Sequence, residues 1–347
     1  MNTQVSEREN ENGWIQSPGF DLAAFILVPL SSLVVLGAVL GASWGMPLVV
    51  AATYLVAIPH YMSSLTFFLG DDNLEYYRSR RVAFFVGPVV IFAAVLVLRV
   101  LGFHNIVVNT MYTWNIWHVS LQSAGILAIY RGLNGGPSTE KGPARTAIFL
   151  WNSTMAFWFI ERFPPLYGWL SVVHPGFPNV LRWTLLGAAA WAVVRFARLI
   201  FQRERPIAAP EAAFLVSSFL LFLPYLWVED SNLATFGMLM GHFIQYLSIV
   251  WLLQYRKYHG AGGTTRQRWL GTVSGRPVFL AATIIGTGLV FYLAESLAGR
   301  WGIPMAYIIL WNSLSLIHFY LDGLIWAFRQ PFIRKSIGTY LMQSASR

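Results

Sequence analysis

LWNSLSLIHFYLDGLIW, residues 310–326, carries one histidine and one aspartate in a run that is otherwise uncharged. Its apolar character continues outward over 303–328, and about 20 such residues span the ~30 Å hydrocarbon core of a bilayer. Nine further segments of the same kind precede it, at about 20–42, 46–70, 82–102, 109–131, 145–161, 180–201, 211–228, 233–255 and 278–298. The pattern predicts an all-α, polytopic membrane helical bundle of about ten transmembrane helices. A single helical domain over 20–328 lies between a polar tail (1–19) and a basic tail (329–347). Pro164 and Pro165 close the fifth segment and leave room for a re-entrant piece around Tyr167–Val173.

Composition agrees. The 347 residues are 56% hydrophobic and 11% charged, where soluble domains carry roughly 25% charged residues. Soluble enzymes, nucleic-acid-binding domains and disordered chains are excluded on that ground. The start, MNTQVSERENENGWIQSPG, has no basic region followed by a cleavage site, so it reads as a tail and not a signal peptide. With no cysteine in the chain, disulfides, thiolate-ligated haem, Cys-ligated iron–sulfur clusters and cysteine nucleophiles are excluded too. Any ligand is held by nitrogen and oxygen.

The +9 charge is a topology code. With ten spans and the N-terminus inside, 20 of the 24 Lys and Arg residues fall in cytoplasmic loops and tails, and only Arg99, Arg162, Arg182 and Arg300 face out. Such a bias predicts cytoplasmic N- and C-termini. The cationic clusters, Arg131 and Arg203 among them, are read as topology determinants that meet anionic headgroups. The loop between Arg256 and Arg276, with Gly260, Gly262 and Gly263, has no phosphate-loop pattern. Glu161, Glu229 and Asp230 sit at outer helix ends, either guarding an entrance or simply solvated.

Of seven histidines, His104, His174 and His259 fall in loops. The other four lie within spans, one per helix: His60, His118, His242 and His318. All four helices run from outside to inside. His60 stands 11 residues before Asp71, His118 13 before Arg131, His242 14 before Arg256 and His318 11 before Arg329. At 1.5 Å per residue the four lie within about one helical turn in depth. A lone intramembrane histidine is often a structural hydrogen-bonder, but four at one level near the bilayer midplane predict a shared site.

Neutral imidazole suits iron, copper, zinc and nickel, and bound histidines need partners on their other ring nitrogen. Ser64, Gln122, Gln245, Tyr246 and Asp322 follow the histidines at helical spacing. Gln122 and Gln245 are candidate cofactor-orienting residues, and Tyr246 and Asp322 candidate catalytic ones. Asp322 can serve as fifth ligand, as acceptor for a ligand's N–H or as general base; alternatively it pairs with Arg329. Trp114, Trp117, Tyr320 and Trp326 are candidate cavity-lining residues. No HxxxH, HExxH or GxSxG motif occurs, and no helix carries two histidines a dozen residues apart as stacked haems require.

One histidine per helix in a cysteine-free multi-pass chain of this length resembles, in organisation, the bacterial Brp/Blh type of β-carotene 15,15′-dioxygenase, and the segments WNIWHVSLQ, GHFIQYLSIVW and IHFYLDGLIWAFR are similar to a broader set of bacterial multi-pass proteins associated with that type. The resemblance implies an inner-membrane protein with a mononuclear, non-haem Fe(II) on His60, His118, His242 and His318, O₂ as co-substrate and a small apolar substrate such as a carotenoid. Two other readings stay open: a bis-histidine haem electron-transfer protein, and a transporter that relays protons or carries a metal. Beyond the lipid bilayer the sequence names no macromolecular partner.

Overall fold

The computed structural model describes residues 13–40, 45–69, 71–258, 277–300 and 306–342. Every regular element among them is helical, with no strand. In chain order these are α1 (18–40), α2 (45–69), α3 (Asp71–Ser79), α4 (Val82–Val100), α5 (His104–Leu133), α6 (Lys141–Trp158), α7 (Pro164–Val173), α8 (Phe177–Phe201), α9 (Ala209–Trp227), α10 (Ser231–Tyr258), α11 (Pro277–Arg300) and α12 (Ala306–Ile325). Short helical turns over 331–341 follow. Helix occupies each of the ten apolar segments. Among the described residues seven helices, α1, α2, α4, α8, α9, α10 and α12, are long and apolar enough to cross a membrane.

The stretch 167–173, where the sequence left room for a re-entrant piece, belongs to α7, ten residues long, started by two prolines and too short to span. Two details differ from the sequence reading. Helix α3 was not anticipated, because its sequence DDNLEYYRS is polar. The tails are partly built into the bundle: Ile15 is fully buried, and Ile333, Ile337 and Leu341 join the same core. The Arg256 guanidinium donates to the carbonyls of Ile15, Tyr340 and Leu341 and so ties both chain ends beneath α10. The glycine loop after Tyr258, with His259, lies outside the described residues, as do 1–12 and 343–347 of the tails.

Helix α2 is not regular. Its first α-helical stretch, Gly45–Ala52, passes into a π turn over Thr53–Ala57, then Ile58–Ser63 is α and Ser64–Leu69 is 3-10. Pro59 explains the wide turn, since it has no N–H and its ring crowds the carbonyl four residues back. His60 therefore stands on a short α segment between two irregular ones.

Close helix contacts set the frame. Gly237 and Gly241, spaced as small-xxx-small, let α10 lie against α1: a Cβ at Gly241 would come 3.0 Å from the Pro29 carbonyl oxygen. Gly288 of α11 lies against the π turn of α2, and a Cβ there would come within 1.9 Å of the Tyr54 carbonyl oxygen. Backbone cannot yield as a side chain does. Gly288→Ala is expected to destabilise the protein by about 1–3 kcal/mol, the usual range for overpacking. Reversible unfolding in mixed detergent would measure this, and an unchanged midpoint would mean that α11 is not seated on α2.

Candidate metal centre

Helices α2, α5, α10 and α12 each present one histidine to a common point. Helix α10 is capped by Asp230, whose carboxylate accepts from the Asn232 and Leu233 N–H groups at 2.8 and 3.0 Å. That cap is the role of this outer acid, while Glu161 pairs with Arg182.

His60, His118, His242 and His318 are 0, 8, 0 and 1% exposed. Their rings form a closed four-membered circuit: centroids are 4.8 Å apart for His60–His242, 5.0 Å for His242–His118, 4.9 Å for His118–His318 and 4.4 Å for His318–His60. Each residue offers one ring nitrogen to a set that lies within 4.8 Å. Two donors bonded to one ion at about 2.1 Å stand at most about 4.2 Å apart. The circuit is open by roughly half an ångström relative to a closed shell, far from the ~8 Å that would separate the histidines into independent groups.

Both ring nitrogens of His60 and His242, and Nε2 of His118 and His318, are buried without a hydrogen-bond partner. A buried polar atom left unsatisfied costs about 1–3 kcal/mol. Six such atoms in one place amount to roughly the net stability of a whole domain, 5–15 kcal/mol. A neutral imidazole carries one lone-pair nitrogen, so a transition-metal ion would satisfy one nitrogen of each ring, and four such nitrogens within 4.8 Å fit that ion.

Asp322 borders two of the four histidines. Its Oδ2 lies 3.9 Å from His118 Nε2 and 3.7 Å from His318 Nε2, within the reach of one shared ion. Its Oδ1 accepts from Tyr246 Oη at 2.6 Å and from Ser64 Oγ at 3.0 Å. The alternative pairing with Arg329 is not formed; Asp322 faces inward.

The protons in this network can be counted. Ser64 Oγ lies 2.9 Å from His318 Nδ1 and 3.0 Å from Tyr246 Oη; when Asp322 is ionised and takes the single Ser64 hydroxyl proton, Ser64 accepts an N–H from the His318 ring. His318 is thereby assigned the Nδ1–H tautomer, and its Nε2 lone pair points into the centre. The Tyr246 proton also goes to Asp322, while Tyr246 Oη accepts from Trp326 Nε1 at 3.3 Å. Ser64→Ala removes the acceptor for His318 Nδ1–H, and its expected effect is a 10–100-fold loss of metal affinity, about the magnitude for partners of ligating histidines. Competition with a chelator of known affinity reads it, and Ser64→Thr should restore most of the loss. Equal affinity in Ser64→Ala and the parent would remove Ser64 from the assembly.

Gln122 and Gln245, expected to orient a cofactor, each donate from the amide nitrogen to a backbone carbonyl. Gln122 donates to the His242 carbonyl at 3.4 Å, and Gln245 to the Phe25 carbonyl at 2.8 Å. They brace backbone, Gln245 doing so in the π turn Leu22–Leu27 of α1. Of the four aromatics expected to line a cavity, Trp326 reaches the network and Trp114 packs on Phe319. Trp117 is 44% exposed against Phe149, and Tyr320 lies against Gly87.

Sequence reasoning missed two covers. Phe243 lies over His60 with centroids 4.5 Å apart, and Phe319 lies over His118 at 4.6 Å. The signal was present as a repeated His-Phe dipeptide, His242–Phe243 and His318–Phe319. In each, the phenyl ring covers a histidine of a neighbouring helix. These rings pack an apolar lining around the donor set.

A second buried polar group lies at the other end of α5. Glu140 accepts from Arg131 at 2.8 Å and from Arg203 at 2.6 Å, and Glu211 accepts from Arg203 at 2.7 Å with Arg131 Nε 3.4 Å away. All four side chains are at most 7% exposed. Arg131 and Arg203, read from sequence as headgroup-facing charges, are instead neutralised inside the bundle. They join the end of α5, the turn before α6, the loop after α8 and the start of α9.

Compared with protein-family models, with curated proteins and with solved structures, the chain gives no match.

Proposed function

We propose that the four histidines hold one transition-metal ion, Fe(II) first, and that the protein is an integral-membrane, metal-dependent oxygenase acting with O₂ on an apolar, lipid-soluble substrate such as a carotenoid. The observation that carries this reading is the convergence of one ring nitrogen from each of four buried histidines, with Asp322 beside two of them, on helices of which α2, α10 and α12 are long and apolar enough to span a bilayer. The loop charges support ten spans with both termini in the cytoplasm of a bacterial-type inner membrane. The bundle over 20–328 then acts as one domain.

When bound, an Fe(II) ion supplies redox chemistry and open positions for O₂ or substrate. The chain's own residues do the rest. His60, His118, His242 and His318 are the nitrogen donors, and Asp322 Oδ2 is an oxygen donor or a base at the edge of the shell. Ser64 keeps His318 in one tautomer. Tyr246 donates its hydroxyl proton to Asp322 Oδ1. Phe243 and Phe319 exclude water from the rings they cover.

Two alternatives fare less well. A bis-histidine haem needs a flat slot for a macrocycle wider than the whole circuit, and rings packed at 4.4–5.0 Å leave none between them. An absorption spectrum checks this: the reading expects no Soret band. A metal carrier draws support from the interruption of α2 at Thr53–Ala57 and of α9 between Leu220 and Pro224. Aerobic incubation of iron-loaded protein in nanodiscs with β-carotene tests the enzyme directly. The expected result is loss of polyene absorbance with one O₂ consumed per double bond cleaved to two carbonyls. Metal release without O₂ uptake, across a panel of apolar polyenes, would favour the carrier.

A further inference from the structure

We infer that the cytoplasmic end of α8 carries a binding site for an anionic phospholipid of the inner leaflet, a conclusion that uses the topology above but not the metal centre. The site is a shallow, open surface groove of about 350 Å³ lined by Trp191, Val194, Arg195, Arg198, Leu199 and Gln202. These positions recur at three- and four-residue spacing, so they form one face of the last three turns of α8.

The face is graded along the helix axis. Trp191 and Val194, at its membrane end, are 59% and 49% exposed. Arg195 and Arg198 follow, and Gln202 closes the helix at the end that the charge code places in the cytoplasm. The order is that of a phospholipid: acyl chain against Trp191 and Val194, phosphate between two guanidinium groups, polar headgroup at the amide. Arg195 lies 5.4 Å from the Trp191 ring centroid, so the ring supports the cation at the depth where aromatic residues anchor at an interface.

These two cations differ from the three arginines that the bundle takes up. Arg131 and Arg203 are neutralised by Glu140 and Glu211, and Arg256 is held by carbonyls. Neither Arg195 nor Arg198 has a hydrogen bond or a carboxylate partner among the described residues. A pair of guanidinium groups without counter-ions, beside an exposed apolar stripe, is complementary to a phosphate diester with attached chains.

Native mass spectrometry of the full chain in detergent, titrated with phosphatidylglycerol and with phosphatidylcholine of the same acyl chains, tests the site. The parent should retain one phosphatidylglycerol in preference to phosphatidylcholine. Arg195→Ala/Arg198→Ala should lower that preference about twenty- to thirtyfold, from roughly one basic residue's contribution each. Arg195→Lys/Arg198→Lys should keep most of it, and Arg78→Ala/Arg81→Ala should change it by less than about twofold. Both substituted residues are exposed, and an unchanged thermal unfolding midpoint in the alanine pair would show that the fold is intact. Retention of the preference by the alanine pair would overturn the proposal. Displacement of the lipid by millimolar inorganic phosphate would do so too, because the site would then read phosphate without its chains.

Discussion

His60→Leu/His242→Leu protein is expected to bind less than about one hundredth of the transition metal bound by the parent chain at equal free metal, since loss of even a ligand's hydrogen-bond partner costs 10–100-fold. These two residues contribute adjacent corners of the ring circuit, and their four ring nitrogens have no other partner. Leucine keeps most of the volume, so the expected loss is of donors and not of packing. Stability makes a second, opposite reading. Replacing buried unsatisfied polar groups by apolar ones of similar shape is close to neutral or stabilising, so metal-free variant should be at least as stable as metal-free parent. Metal at 100 times its dissociation constant should add about 2.7 kcal/mol to the parent and nothing to the variant. Chelator titration and thermal unfolding measure the two effects. A variant that is equally stabilised by metal would mean that the ion binds elsewhere.

The second large effect is expected at the ion quartet. Glu211→Gln removes one of two carboxylates shared by Arg131 and Arg203 and leaves a buried guanidinium charge uncompensated. Breaking a buried pair in this way costs about 3–5 kcal/mol. The quartet links α5, α6, α8 and α9, so the loss should appear as a lower unfolding midpoint with metal affinity unchanged. The combined replacement Arg131→Met/Glu140→Leu/Arg203→Met/Glu211→Leu, which removes every charge at once, should recover most of the stability. A Glu211→Gln protein within about 1 kcal/mol of the parent would show the group to be solvated, as exposed pairs are.

Depth was readable in the sequence and lateral position was not. Counting from each histidine to the charge at the end of its helix placed four imidazoles at one level, and the structure brings them within 4.8 Å. A helix resists stretching, so residue count reports height well. Which way a side chain points around the axis depends on packing, and there the expectations divided. Asp322 and Tyr246, at i+4 from their histidines, turn inward to the centre, whereas Gln245, at i+3, turns to the Phe25 carbonyl. The π turn before Pro59 rotates His60 by an amount that no regular period describes. Arg131 and Arg203 show the other limit of the reading. A charge code counts cations per loop, and it does not register that Glu140 and Glu211 lie close enough in the fold to bury them. The phenyl covers were visible as His-Phe pairs but acquired meaning only once each phenyl was seen over a histidine of another helix.

X-ray absorption at the metal edge, on parent protein reconstituted anaerobically with Fe(II), tests the central claim most directly. The account predicts one iron per chain with a first shell of nitrogen and oxygen at about 2.1 Å, the outer-shell scattering of several imidazoles, and no sulfur. A chain that takes up no stoichiometric transition metal, or iron surrounded by oxygen alone without imidazole scattering, would contradict it.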